Sequence, residues 1–520
     1  MARIADRLAA LRLGRFRYNS PWTQVALVGF VCFCSVGMFT AMNGLGAGGT
    51  TNVILVDIAN GVLYGVFALT GLVGGSITNV IGVRLTLCIG TTGYSLYIGS
   101  LWAYQRHGTS AFMIVAGAVL GFTAGLLWSA QGQIMLSYPA EKDKGRAFGL
   151  FWSIFSLGGV VGASIALGIL ATSALPAVST GVYLAFMVIM ISSVFTSLLV
   201  LPPNSVIRAD GTLVELLPSL SAASELRELA KLIRDWRLLA LLPLCFASNF
   251  FYAYQASVVS ALYNARTRAL SSFLTNLGAI LGANAIGAVL DHTPLKRRGR
   301  ALTAFALVAS LQLLMYASAI AFQVQYALQR PDAARGVAAR HWDWSDPRTR
   351  GPLLLFLVFF IGDAAYQGLA YYILSSLTND PFRLARMTGY YKGLQSAGAA
   401  ISFGMDAVHT PYLTEVLVCF ALVLVAFPLA LLVVLRIKDS SYEDEEVYRV
   451  ENVGAAALNA AALPDDHGVK AETKQDLQLG ELVKECSDGG LADDTGEAEP
   501  EVSGRRPAHE GTSATLPIVT

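Results

Sequence analysis

The sequence predicts an all-α membrane protein, and three observations carry that prediction. Twelve apolar runs of roughly 19–26 residues lie between about residue 23 and residue 435, each long enough to cross a ~30 Å hydrocarbon core as a helix. The hydrophobic fraction of the 520 residues is 54% and the mean hydropathy is +0.54, as expected when most of a chain faces lipid or other helices. Inside a bilayer every backbone N–H and C=O needs a partner within its own segment, so runs of this length read as helices rather than strands.

The first six runs cover 23–45, 53–78, 84–104, 111–136, 147–171 and 180–201, and the second six cover 238–262, 269–290, 301–325, 353–377, 388–408 and 411–435. The first follows an arginine-rich amino end (1–22) without an apolar core of its own. It is too long for a signal peptide and lacks a small-residue cleavage pattern, so it reads as a retained membrane helix. The chain thus divides into a short amino segment, a six-helix bundle (23–201), a polar linker (202–237), a second six-helix bundle (238–435) and an acidic tail (436–520). The tail, with Glu443, Asp444, Glu445 and Glu446 in a row, has too few apolar residues to bury a core and is expected to be disordered. In the linker, Leu226, Leu229, Ile233 and Trp236 share one face of an expected interfacial helix at about 225–236, with Ser224 as its cap and Glu225 and Glu228 in its first turn.

Lysine and arginine set the expected orientation. With the amino end inside, the inner loops hold Arg3, Arg7, Arg12, Arg15, Arg17, Arg84, Lys142, Lys144, Arg146, the linker cations, Lys296, Arg297, Arg298, Arg300, Arg383, Arg386, Arg436 and Lys438. The outer loops hold Arg106, Arg266, Arg268 and the arginines of loop 326–350, among them Arg330. Inner cations prevail by more than two to one, so both termini are expected in the cytosol. The net charge of +1 offers no basic face for nucleic acid. The six cysteines form no CxxC pair or Cys/His cluster, so no metal or other cofactor is expected. No Walker loop, nucleophile elbow or HExxH helix appears, and no enzymatic activity is expected.

The loop after the second run of each half carries the same pattern. The first copy places Gly75, Ile77, Asn79, Gly82 and Arg84 at the spacing at which the second places Gly287, Val289, Asp291, Pro294 and Lys296, followed by Arg297. Glycine allows close helix approach, the acid or amide can face a helix N-terminus, and the cation can tie the loop down. This pair resembles the G-x-L-x-D-x-x-G-x-[RK] loop signature of the major facilitator superfamily, with Asn79 in place of the acid in the first copy. A narrower resemblance rests on Tyr18-Asn-Ser-Pro-Trp-Thr-Gln24, Gly37-Met-Phe-Thr-Ala-Met-Asn43, Gly362-Asp-Ala-Ala-Tyr-Gln367, Asn379-Asp-Pro381 and Gly389-Tyr-Tyr-Lys-Gly-Leu-Gln-Ser-Ala-Gly398. These segments look like the Unc-93-like branch, particularly its fungal members. The resemblance implies a major-facilitator-type fold, with twelve transmembrane helices in two six-helix halves and a cavity lined by helices 1, 4, 7 and 10.

Ionisable groups within spans are costly and are therefore candidates for function. Asp363 lies near the middle of the tenth run and Lys392 a few residues into the eleventh. They read as an intramembrane charge pair, serving either as a relay for a coupling proton or ion or only to hold two helices in register. Asp57, Asp406 and Glu415 lie nearer the outer surface and read as solvated helix ends. Asn43, Trp128, Gln131, Asn249, Tyr252, Gln255, Tyr366, Gln367 and Tyr371 fall on the implied cavity helices. As a set they suit a moderately polar, uncharged organic solute, although each alone could instead be an interhelical hydrogen bond. Gly158, Gly159, Gly162 and Gly168 in the fifth run read as close helix packing.

Two functions compete. One is secondary transport of a small organic solute by alternating access, with the lipid bilayer, the solute and a proton or other ion as partners. The other is a non-transporting regulator or escort of an ion channel or another membrane protein, suggested by the family resemblance, the altered first motif, the outer loop and the tail.

Overall fold

The computed structural model describes residues 12–13, 16–44, 53–172, 180–208, 211–214, 221–292, 294–331 and 336–440. The expectation of a disordered tail therefore falls almost wholly outside the described residues.

A two-residue hairpin, β1 (Arg12–Leu13) with β2 (Phe16–Arg17), precedes the first helix. The first half contains α1, built of Pro21–Cys32, a π-helical turn Phe33–Gly37 and Met38–Gly44, then α2 (Val53–Ile81), α3 (Val83–His107), α4 (Ser110–Ser137), α5 (Lys144–Thr172) and α6 (Thr180–Ser197). A linker helix, α7 (Ala222–Ile233), leads to the second half: α8, in two pieces Trp236–Ala247 and Tyr252–Leu262, then α9 (Ala265–His292), α10 (Arg297–Tyr326), α11 (Arg350–Ser375), α12 (Pro381–Ala407) and α13 (Tyr412–Val434). Ten of these spans are long and apolar enough to cross a membrane on composition alone. The remaining two, α3 and α12, are equally long but more polar. In α12, Lys392, Gln395 and Ser396 point into the protein rather than to lipid, which lowers its hydropathy without shortening it.

Short-range chemistry sets the joints at one end of the bundle. Gly82 adopts φ 85°, a conformation that L side chains avoid, and lets α2 turn into α3 through a single residue. Arg84 then donates to Val200 O at 2.8 Å, fixing the start of α3 to the end of α6. Pro381 occupies the first turn of α12, and the Asp380 side chain accepts from Phe382 N at 2.9 Å. This cap starts α12 seven residues earlier than the sequence reading at 388, so Lys392 sits near the middle of its helix.

Two helix pairs make the most extensive joins between the halves. Along α2–α12, Gly71, Gly75, Gly389 and Gly393 interleave so tightly that a Cβ on Gly389 would lie 2.6 Å from Gly71 O. Along α5–α9, a Cβ on Gly287 would lie 2.6 Å from Gly145 O, and Gly159 meets the Asn276 amide. Gly158 crosses the Phe33 backbone of α1 and Gly162 meets Ala41, so these glycines lie at helix crossings, whereas a Cβ on Gly168 would meet open space and the packing reading fails there.

The linker helix departs from expectation in three ways. Its cap is Ser221, whose Oγ accepts from Ser224 N. Trp236 belongs to α8. Its buried face is Glu225, Leu229 and Leu232, while Leu226 and Ile233 are exposed. A glutamate on the inward face displaced the apolar stripe read from the sequence, because that glutamate has a buried partner.

Candidate functional site

Two helix irregularities open the centre of the protein. The π-turn in α1 precedes Phe39 and Thr40, and α8 breaks at 248–251, soon after Pro243. Pro243 cannot donate to the preceding turn, and breaks of this kind in membrane helices recur at binding sites. The break frees the Ser248 and Asn249 side chains, which accept from Gln395 Nε2 at 2.8 and 2.9 Å.

Between the halves lies a cavity of about 230 Å³. Its wall includes Asn43, Asp57, Asn60, Tyr252, Gln255, Ser272, Asn276 and Asp363, interleaved with Phe39, Trp152, Phe155, Phe356 and Phe360. A smaller compartment of about 90 Å³ adjoins it and shares Phe39, Thr40, Tyr64, Trp152, Phe155 and Tyr252. Trp128, Asn249, Gln367, Lys392 and Gln395 also line it.

Lys392 is 2% exposed and, among the described residues, is held without a counter-charge in contact. Its Nζ donates to Gln367 Oε1 at 3.0 Å and to Gln395 Oε1 at 2.8 Å. The rings of Trp128, Tyr391, Tyr371 and Trp152 surround it at 4.4, 4.9, 5.2 and 5.9 Å, an arrangement that favours the cation electrostatically. Asp363 accepts from Gln367 Nε2 at 3.0 and 3.1 Å and from Tyr252 Oη at 3.2 Å. The charge pair read from the sequence is thus corrected: Asp363 and Lys392 are joined through the Gln367 amide, not directly. The physical reason is the cage, in which glutamine oxygens and aromatic faces already occupy the ammonium.

Of the cavity residues read from the sequence, Asn43, Tyr252 and Gln255 line the larger compartment, and Trp128, Asn249, Tyr252 and Gln367 the smaller. Gln131, Tyr366 and Tyr371 lie outside both linings. Tyr371 Oη donates to Gln131 Oε1 at 3.3 Å across the halves, and Tyr366 Oη donates to Leu244 O at 2.8 Å. Gln395, spaced three residues from Lys392 and so on the same helix face, was legible but read only as part of a family segment.

The loop-motif end is closed by hydrogen bonds between the halves. Asp291 accepts from the backbone N–H of Gly145 at 2.9 Å and from that of Arg146, at the N-terminus of α5 where a carboxylate is favoured. Lys144 Nζ donates to Ser375 O at 2.9 Å, and Arg297 donates to the same carbonyl at 3.0 Å and to Glu141 at 3.2 Å. Asn379 Nδ2 donates to Glu141 Oε1 at 2.6 Å. Lys296 stands apart from this closure, 3.7 Å from Asp439 and largely exposed. In the first motif Asn79 donates to Glu225 Oε2 and to Phe382 O, both at 3.1 Å. Glu225 in turn accepts from Arg386 at 2.9 Å. The linker helix thus brings a buried carboxylate to the place where the first motif has an amide.

A helical, two-half fold, with twelve long helices among the described residues and a central cavity closed at its motif end, defines a class, and comparison with known proteins agrees. The family model "Major Facilitator Superfamily" matches residues 25–402, and the chain is a multi-pass membrane protein of that superfamily. UNC93-like protein 1 of Arabidopsis thaliana is 38% identical over 435 residues, covering 83% of this chain and 94% of that protein. An UNC93-like protein of Schizosaccharomyces pombe is 38% identical over 416 residues, 79% of this chain and 82% of its own. The chain belongs to the UNC93-like family. Among solved structures, a bacterial homologue of the iron transporter ferroportin, in its outward-facing state, matches with TM-score 0.56 at 12% identity over 79% of this chain and 99% of that one. The human organic anion transporter MFSD10 matches with TM-score 0.53 at 15% identity, covering 79% and 98%. These likenesses concern the fold.

Proposed function

We propose that the protein is a secondary transporter that carries a small organic solute across the membrane by alternating access. The observation that carries this reading is the asymmetry around the cavity. Polar and aromatic side chains from both halves meet at mid-depth, and a hydrogen-bonded layer seals the motif end. Rocking of the halves would exchange which end is sealed. The solute is small, given a cavity below the usual drug-sized range, and carries both a ring or apolar body and hydrogen-bonding groups. Asn43, Tyr252, Gln255 and Asp363 contact it from the larger compartment, and Trp128, Asn249, Gln367 and Lys392 from the smaller. The clustering of cations at the motif end supports a cytosolic placement for that end and for both termini. The altered first motif, which favours a regulator on sequence grounds, loses that weight because Glu225 supplies the missing carboxylate.

The test is counterflow in proteoliposomes containing the purified full-length chain, run over a panel of neutral, cationic and anionic aromatic solutes. Accumulation of a labelled solute against its unlabelled form is expected, and it should be lost in Tyr252→Ala. Folded, monodisperse protein that exchanges no member of the panel would contradict the proposal.

A further inference from the structure

Four charged side chains meet at the end of the bundle remote from the motif loops. Arg330, just beyond α10, places Nη2 2.5 Å from Asp406 Oδ1 and 2.7 Å from Glu415 Oε1. Its Nη1 donates to Ser257 Oγ at 3.0 Å, its Nε donates to Thr410 O at 2.5 Å, and its guanidinium lies 4.4 Å from the Tyr412 ring centroid. Asp57, near the start of α2 in the other half, sets its carboxyl against that of Asp406. Asp57, Asp406 and Glu415 are 7%, 3% and 3% exposed. The sequence reading of these acids as solvated helix ends is corrected: Arg330, counted there as a loop cation, folds back over them and they pack beneath it.

Proton counting sets the state of this cluster. Two ionised carboxylates have no hydrogen to share and repel one another, so the buried Asp57 and Asp406 carboxyls stay in contact only with a proton between them. Glu415 supplies a second, separate observation: its Oε2 is buried and has no hydrogen-bond partner among the described residues, leaving a carboxylate oxygen free to take up a proton. The other titratable groups facing the cluster are Tyr97 beside Asp57 and Tyr254, Tyr412 and Cys419 beside Glu415. None of them carries positive charge. One guanidinium therefore faces three carboxyls, in surroundings where like charges in contact repel strongly. A metal cation would meet the guanidinium, which already lies within reach of two of the carboxylates; a proton would not. Asp57 and Ser257 also line the larger cavity compartment, so water in the cavity reaches the site.

We propose that Asp57, Asp406 and Glu415, clamped by Arg330, form a proton-binding site on the cavity wall, in which the proton shared by Asp57 and Asp406 fastens the two halves together at this end. Releasing that proton leaves two carboxylates in contact across α2 and α12 and favours their separation. Binding joins them again. As the coupling site of a transporter it rests on the reading above; as a proton site it stands without it.

Infrared difference spectroscopy of the purified full-length protein in lipid nanodiscs tests it, read at the protonated-carboxyl C=O stretch. A band that disappears as pH is raised is expected in the natural protein, with its amplitude lost in Asp57→Asn and in Asp406→Asn and restored in Asp57→Glu. The titration of the unsubstituted protein needs no variant to fold. A band unaltered by both asparagine substitutions, or one that disappears only on adding sodium or potassium ions, would overturn the proposal. In proteoliposomes, Asp406→Asn, at a position outside both cavity linings, should abolish the stimulation of solute uptake by an imposed pH gradient while leaving exchange intact. If no solute moves but the band titrates as expected, the transport reading falls and the proton site remains.

Discussion

The two seams between the halves are built from the same materials and differ in extent. The α2–α12 seam is closed along its length, from Asn79 bonded to Phe382 O, through the Gly71, Gly75, Gly389 and Gly393 crossing, to Tyr64 stacked on Phe403 at 5.5 Å and Asp57 set against Asp406. The α5–α9 seam is tight from Gly145–Gly287 to Gly159–Asn276. Beyond it Gly162 turns to Ala41 of its own half, and Ser271 and Ser272 face the cavity. Small residues permit close approach in membrane helices, where packing rather than water drives association. The side on which that approach stops is the side on which the cavity opens. The contrast assigns the first seam the role of a hinge latched at both ends, and the second that of a split seam latched only at the motif end.

The largest effect is expected where the closed seam has no room. Gly389→Leu would drive a side chain into the backbone of Gly71 and Gly75; overpacking of this kind costs about 1–3 kcal/mol or more. A sharp fall in yield and in the thermal transition of the solubilised protein is expected. Unchanged stability would show that the seam has slack and that the comparison is wrong.

A smaller effect is expected from the two motif acids, and it separates the seams. Asp291→Ala strips two backbone N–H groups of α5 of their partner, a loss of about 0.5–2 kcal/mol by the usual capping scale. The motif end should open more often, activity should fall, and the order of preferred solutes should stay unchanged, because Asp291 is remote from the cavity. A changed solute preference would contradict this assignment. Asn79→Asp should be harmful too, since it sets a second carboxylate beside Glu225, and Glu225→Gln in the same chain should restore what it loses.

The comparison also shows how far the sequence could be read. Span number and order, the paired motifs and the depth of Asp363 followed from hydropathy and spacing, because lipid imposes length and polarity helix by helix. What failed to show was anything that depends on two distant segments meeting. Gln367 stands four residues from Asp363 and could have been noticed as its neighbour, yet its bridge to Lys392 needs α11 and α12 to be placed. Arg330 is equally opaque: its loop position reads as solvent, and only the fold brings Ser257, Asp406 and Glu415 around it. Glu225 looked like a first-turn acid of an interfacial helix, and nothing local betrays Arg386 as its partner.

The smallest expected effect concerns the bridge at mid-depth. Contact within one hydrogen-bond network typically gives coupling of about 0.5–3 kcal/mol, and a link passing through Gln367 belongs at the low end. Asp363→Asn and Lys392→Gln should each reduce activity, and the double variant should lose less than the sum of the two. Strictly additive losses would show that Gln367 transmits nothing between them.

The central claim is that the motif end and the far end, both latched on the α2–α12 side here, open in alternation. Paired spin labels test it directly, one pair replacing Lys142 and Lys296 at the motif end and another replacing His107 and Val408 at the far end, all four exposed positions. Distance distributions from pulsed electron resonance in nanodiscs should show two populations at each end. Asp291→Ala should move the motif-end pair toward the longer distance and the far-end pair toward the shorter one. A single distribution at both ends, unmoved by Asp291→Ala and by pH, would contradict the account.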